Sequence, residues 1–401
     1  MRSAPQRPGR RSSALLLAAV LPLAGLAACG SDDDSGAGAD SLTVSGTFGQ
    51  EPEVEFDGQI DPDGFDSTVA IEGDGAEIEE DDVALISVWV GNGFTESKAY
   101  DTFASGPGVF RITTAAPSPT EAQVLQQGPF AGVVDPQTFA LPTSIVESLV
   151  GKKAGSRVVV ASDSDDAFGA LGQPGIGIGN KDGVVFVVDV LATALDGPEG
   201  TDVEAPAGTP ALIEEGAAVT GFDFTDATPP TDELQVIPLV EGDGPVVEEG
   251  ATLIANYLGQ VFEGEAPFDE SYSGGLPRSF VVGGPLAGVI EGWNQSLVGL
   301  KAGSRVVLVI PPELGYGAEG NEGAGITGTD TLYFVVDVLG SVVVPEPLPV
   351  EEPTTEPTDP TATDPAATDP AATEPADPSA TDPAATEPVD PSAEPSVAPT
   401  E

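Results

Sequence analysis

The 401-residue sequence contains no histidine and a single cysteine, Cys29. Without imidazole or a second thiol, Ser-His-Asp and Cys-His nucleophilic catalysis are excluded, as are the usual zinc ligand sets. Positive charge is equally scarce. Thirteen basic residues stand against 66 acidic ones, a formal charge of −53, and Arg2, Arg7, Arg10 and Arg11 all precede the first apolar run. A surface of that sign repels phosphate backbones and anionic headgroups, so nucleic acid is not an expected partner. Its simplest meaning is solubility in a salty exterior. A carboxylate-only calcium site stays open, but Asp61-Pro62-Asp63-Gly64-Phe65-Asp66 carries a proline and lacks the distal glutamate of an EF-hand. Asp163-Ser164-Asp165-Asp166 reads first as a solvated turn. No metal and no cofactor is expected. Any chemistry must use carboxylates, phenols, indole and backbone groups.

A membrane-spanning run is missing too. Residues 1–28 pair a basic start with an apolar stretch from Ala14 to Ala28 that is short for a span and reads as a secretory signal. Leu26-Ala27-Ala28-Cys29 resembles a bacterial lipobox, in which cleavage precedes the cysteine and its sulfur carries lipid. That resemblance implies lipidation at Cys29 and anchoring on the extracytoplasmic face of the bacterial cell membrane, with several acyl chains giving a stable hold. An ordinary signal with a chance cysteine is the alternative. Residues 29–40 then read as a flexible Asp/Gly/Ser/Ala linker.

An internal repeat organises the chain beyond residue 40. The run Ser148-Leu149-Val150-Gly151-Lys152-Lys153-Ala154-Gly155-Ser156-Arg157 recurs almost unchanged as Ser296-Leu297-Val298-Gly299-Leu300-Lys301-Ala302-Gly303-Ser304-Arg305, and Phe186-Val187-Val188-Asp189-Val190-Leu191 recurs as Phe334-Val335-Val336-Asp337-Val338-Leu339. Upstream, Glu72-Gly73-Asp74-Gly75 matches Glu241-Gly242-Asp243-Gly244, and the wider spacing there places an insertion in the first copy between Thr113 and Gln137. The repeat predicts two copies of one fold, at residues 41–195 and 213–342, joined by a Gly/Pro/Glu-rich linker at 196–212. Ala84–Val90, Gly183–Leu191 and Thr331–Leu339 read as strands, and Ile290, Trp293, Leu297 and Leu300 recur at helical spacing. Residues 343–401 have neither aromatic nor basic side chains and repeat Pro, Thr, Ala, Asp and Glu. Such a segment cannot bury enough apolar surface to offset its ordering entropy and is expected to be a disordered spacer. Threonine glycosylation or partner binding there stays open.

The second copy holds an ordered set of landmarks: Tyr257, Phe268-Asp269, Val289-Ile290-Glu291-Gly292-Trp293, Gly315-Tyr316-Gly317-Ala318 and Phe334. Order and spacing over a whole domain resemble the FKBP-type peptidyl-prolyl cis-trans isomerases. The resemblance implies an α+β fold: two tandem FKBP-like domains, each a curved antiparallel sheet of about five strands wrapped on one short helix, with the disordered tail beyond. It also implies rotamase activity on proline-containing polypeptides, with Trp293 as pocket floor and Phe268, Val289, Ile290 and Phe334 among the walls. The Tyr316 hydroxyl would bond a substrate carbonyl, Asp269 would touch the rotating group or orient Tyr257, and Ile290 would offer its backbone N–H. The lack of imidazole and of a second thiol agrees with this chemistry. An X–Pro bond isomerises through a twisted amide across about 18–20 kcal/mol, and twisting drains negative charge from the carbonyl oxygen. A dry apolar cup favours that less polar state with no nucleophile and no proton transfer.

Arg278 stands where family members often have an apolar wall, and the loop Glu319–Gly328 lacks the usual prolines and apolar pair, with Ile326 left to replace one wall. Altered substrate preference and weaker macrolide binding are the expected consequences. In the first copy the alignment sets Trp89 against Tyr257, Tyr100 against Phe268 and Asp101 against Asp269. It also sets Ile145 against Trp293, Phe168 against Tyr316 and Pro142, which has no N–H, against Ile290. A degenerate copy is expected. The leading expectation is an exported isomerase assisting the folding of secreted or envelope proteins. A non-catalytic polypeptide-binding chaperone and an envelope-spacing lipoprotein are the alternatives.

Overall fold

The computed structural model describes residues 37–127, 132–137 and 139–345. The expected signal and lipobox with Cys29, in residues 1–36, and residues 346–401 of the expected tail lie outside the described residues. The first half contains β1 (Leu42–Ser45), β2 (Glu53–Phe56), β3 (Phe65–Ile71), β4 (Val83–Asn92), β5 (Ser97–Asp101) and β6 (Gly108–Arg111), then α1 (Pro119–Gln127), α2 (Thr143–Leu149), β7 (Arg157–Asp163), α3 (Ser164–Phe168) and β8 (Gly183–Thr193). The second contains β9 (Gly200–Asp202), β10 (Ala211–Glu215), β11 (Ala218–Asp223), β12 (Gln235–Gly242), β13 (Ala251–Val261), β14 (Asp269–Glu270), β15 (Arg278–Val282), α4 (Glu291–Leu297), β16 (Arg305–Ile310) and β17 (Leu332–Val342).

Two antiparallel sheets result, with matching order. One runs β3-β7-β8-β4-β5 with β6 also on β4; the other runs β14-β13-β17-β16-β12-β9 with β15 also on β13. Their central strands are apolar on both faces: β4, β8, β13 and β17 are buried along nearly their whole length. The reason is that each sheet is covered twice. The inner face of the second sheet packs on α4 through Leu253, Leu308, Ile310 and Val336, while its outer face is roofed by the β10–β11 hairpin through Val219 and Phe222 against Leu258, Val307 and Val335. The β1–β2 hairpin does the same for the first sheet, over Trp89, Val159 and Val187.

The shared sequence runs meet across strands. Arg157 faces Asp189 and Arg305 faces Asp337 in register, each with a guanidinium Nε–carboxylate separation of 2.6 Å. Arg157 is fully buried and also donates to the carbonyls of Ser45, Gly46, Thr47 and Gln50, so the ion pair holds the roofing hairpin as well as the sheet. A buried guanidinium is tolerable only when its donors are matched this fully.

Three expectations need correction. The stretch 196–212 is not a free linker: Gly200–Asp202 pairs with Val240–Gly242 as the sheet edge, and the Glu199 N–H donates to the Gly303 carbonyl at 2.8 Å. Gly/Pro/Glu content reports weak propensity, whereas an unpaired sheet edge recruits any extended neighbour. The end of the 29–40 linker is likewise ordered, with Ala39 buried and its N–H donated to Asp66. Finally, helical spacing to Leu300 overshoots. α4 stops at Leu297 because Gly299 takes φ +91° and turns the chain into β16. The two halves also touch: Leu85, Val109 and Leu191 form one buried cluster with Ile254 and Leu339, and Leu195 N–H donates to the Leu339 carbonyl at 2.9 Å.

Candidate active site

Helix α4 lies unusually close to its sheet at Gly292. A Cβ there would come within 2.5 Å of Ile310 Cγ2, so only glycine permits the approach that sets the next residue, Trp293, into the sheet's concavity. The indole is 3 % exposed and is met edge-on by three rings: Tyr257 at 5.4 Å, Phe280 at 5.1 Å and Phe334 at 5.3 Å between centroids. Phe268 stands edge-on to Phe334 at 5.6 Å. Gly259 is the second close approach, since a Cβ at that position would lie 2.5 Å from the Phe334 ring and 2.6 Å from that of Phe268. Edge-to-face pairs each add about 0.5–1.5 kcal/mol beyond area burial, which makes the cage stiff.

Above the indole is a cup of about 440 Å³ lined by Tyr257, Phe268, Asp269, Phe280, Val289 and Ile290, with Trp293, Tyr316, Phe334 and Gly288 completing it. Its polar groups are few. The Tyr257 hydroxyl donates to Asp269 Oδ2 at 2.7 Å. Burial first, and the Asp269 carboxylate second, push that phenol far above its usual range, so it stays neutral and committed to Asp269. Tyr316 is 37 % exposed at the rim, and its hydroxyl makes no hydrogen bond with the described residues. Ile290 caps α4 with extended backbone, its carbonyl accepting from the Trp293 N–H at 2.9 Å while its own N–H has no acceptor among the described residues. Behind the wall, the Ser271 hydroxyl accepts from Tyr257 N–H, and Tyr272 donates its hydroxyl to Asp337 at 2.9 Å.

Of the residues singled out in sequence, Tyr257, Phe268, Asp269, Val289, Ile290, Trp293, Tyr316 and Phe334 converge on this cup. Ile326 does not. It is 4 % exposed and packs into the core beneath the 319–328 loop, pinned by paired backbone bonds with Asn321. Phe280 takes a wall instead, and sequence reading missed it. The available signal was alternation along β15, which puts Arg278, Phe280 and Val282 on one face. Among the described residues no cluster of acidic side chains is placed to hold a metal ion.

Residues 244–339 match the family model for FKBP-type peptidyl-prolyl cis-trans isomerase. The chain is 40 % identical over 117 residues to an FK506-binding protein of Streptomyces anulatus, covering 29 % of this chain and 92 % of that protein. The chain belongs to the FKBP-type peptidyl-prolyl cis-trans isomerase family. A probable FK506-binding protein of Corynebacterium glutamicum is 34 % identical over 113 residues, covering 28 % of this chain and 91 % of its own length. The FKBP-type isomerase FkpA of Escherichia coli is 41 % identical over 105 residues, 26 % of this chain but 36 % of that protein.

Among the described residues the first sheet forms no aromatic cup of this kind, and register shows why. Tyr257 pairs with Val336 and Trp89 with Val187, so Val88, which pairs with Val188, stands where Tyr257 does. The pairing of Trp89 with Tyr257, and with it those of Tyr100 and Asp101, is therefore corrected by one residue. Hydrogen bonds agree: Val88 N–H donates to the Thr102 hydroxyl as Tyr257 N–H does to that of Ser271. A one-residue slip moves a side chain to the other face, and Trp89 accordingly sits under the β1–β2 hairpin. The concave side is filled from within. Phe168, fully buried, packs edge-on against Phe186 at 5.7 Å, and Leu125, Val133 and Val134 of the inserted stretch pack around Ile145.

Proposed function

We propose that residues 213–342 form the catalytic FKBP domain of an exported isomerase, that residues 41–195 are a degenerate tandem copy, and that Cys29 carries a lipid anchor holding both outside the bacterial membrane. The observation that carries the catalytic assignment is the Trp293 floor, framed edge-on by Tyr257, Phe280 and Phe334, with a spare hydroxyl and a spare amide N–H at its rim. A proline ring laid on the indole leaves bulk water. The preceding carbonyl, losing charge as the amide twists, is less stabilised by water and more at home among the rings. The Tyr316 hydroxyl and the Ile290 N–H hold flanking carbonyls, which fixes the backbone on one side while the other rotates. Asp269, its Oδ2 occupied by Tyr257, presents the rest of its carboxylate at the rim and keeps that phenol in place. Clients are unfolded secreted or envelope polypeptides, consistent with the signal-like start and the absence of any residue needing a reducing or metal-rich compartment.

The test is a proline-limited refolding assay with the full chain. Acceleration by wild type, lost with Trp293→Ala and reduced with Tyr316→Phe, is expected. A wild-type chain that leaves the slow phase unchanged would defeat the catalytic assignment. The anchor is tested separately by metabolic labelling with a radioactive fatty acid, expected in wild type and absent in Cys29→Ser.

A further inference from the structure

The wall of the cup between Asp269 and Phe280 is held at its outer end by the other half of the chain. We infer that the first copy is a positioning element for the isomerase pocket, acting through Leu276 and Arg111 on this segment. The inference rests on the cup at Trp293 being the isomerase pocket. Asp269, in β14, and Phe280, in β15, both line the cup; each strand pairs with β13, and residues 271–277 between them belong to neither pairing. The near end of that stretch is fastened at home by Ser271 and Tyr272. Its far end is not. Leu276 is 3 % exposed and lies in the core of the first copy with Phe110, Leu125 and Leu141. Beside it Arg111 Nη2 donates to the Gly275 carbonyl at 2.8 Å, while Arg111 Nε pairs with Glu121 at 3.0 Å.

Glu121 is itself fixed. It closes a capping box at the start of α1, accepting from Ser118 N–H at 2.9 Å while its own N–H donates to the Ser118 hydroxyl at 3.2 Å. Burial pushes its carboxyl up, but the Ser118 hydrogen bonds, and after them the Arg111 guanidinium, hold it below the usual range. Gly275 takes φ +76°, and a Cβ on it would stand 3.1 Å from Glu121 Cγ, so the Glu121 side chain packs directly on the Gly275 backbone. Helix α1 belongs to the stretch inserted in the first copy alone. The insertion thus does two things: Val133 and Val134 fill the first copy's own concavity, and α1 grips the wall of its neighbour's.

Loss of this grip frees the outer wall while leaving floor and rim donors in place. Phe280 would then lean less regularly on Tyr257 and Trp293, and Asp269 would hold Tyr257 less firmly. Displacements of that size cost catalysis more than binding, since orientation is what the cup supplies. Leu276 and Arg111 touch neither substrate nor reacting atoms.

The experiment uses the full chain carrying Leu276→Ala, Leu276→Met or Arg111→Met, and measures kcat, KM and backbone hydrogen exchange. Leu276→Ala and Arg111→Met are expected to speed exchange across residues 271–280, leave β17 protected, and lower kcat on the order of tenfold with KM little changed. Leu276→Met, which refills the same site, restores both. Should Leu276→Ala fail to fold, Arg111→Met decides, because that side chain is partly exposed. Wild-type exchange in 271–280, or faster exchange with unchanged kcat, overturns the inference. If wild type itself proves inactive the pocket reading falls, and the exchange data alone settle whether the grip exists.

Discussion

Two phenols line the cup, and only one has a hydroxyl to offer. Tyr257 is bound to Asp269 at 2.7 Å, whereas Tyr316 stands at the rim with no described partner. The distinction predicts different outcomes for one chemical change. Tyr316→Phe should lower kcat/KM by the worth of a neutral hydrogen bond, about 0.5–1.5 kcal/mol, with thermal stability near wild type. Tyr257→Phe should lower stability by about 1 kcal/mol and impair catalysis indirectly, by releasing Asp269. Steady-state kinetics and thermal melts on both variants separate the two roles. Because burial and Asp269 raise the Tyr257 phenol, activity should also show no alkaline limb from that group. Sequence order identified these side chains but could not rank their hydroxyls. Which is occupied depends on a residue 12 positions away in a neighbouring strand.

The element that decides the site is a helix of seven residues, too short to be stable alone and positioned entirely by the sheet beneath it. Gly292 sets its distance. Gly292→Ala should push α4 outward from Ile310, costing about 1–3 kcal/mol as overpacking and lowering kcat/KM through Trp293. Chemical denaturation and the refolding assay report the two effects. The strands carry a different liability. Asp189→Asn leaves Arg157 buried with its charge unmatched, and a loss of about 3–5 kcal/mol is expected, measured as a shift in urea midpoint. Strands and repeat were legible in the sequence because both depend on local pattern. The roofing hairpins, the strand at Gly200–Asp202 and the displaced Trp89 were not, since a residue's face is set by cross-strand register. Ile326 failed for the same kind of reason: its loop folds inward onto Asn321, which no local pattern announces.

Across the described molecule the two copies share apolar material. Leu85, Val109 and Leu191 pack with Ile254 and Leu339, and Leu276 is buried in the opposite half. Calorimetry of the full chain should therefore show one cooperative transition. Leu339→Ala, at about 2–5 kcal/mol for a buried leucine, should lower it as a unit instead of splitting off a second peak. Two resolved transitions with independent shifts would show the halves to be separable. The sequence alone determined which side-chain chemistry is present, the internal repeat, and the aromatic set that meets in the cup. Those follow from which residues exist and in what order. Tertiary structure alone decided that Phe280 lines the cup and Ile326 packs in the core, and that Leu276 is buried in the first half's core beside Leu125, Val133 and Val134. Each depends on contacts between residues distant in the chain, fixed by register and packing, which local sequence does not encode.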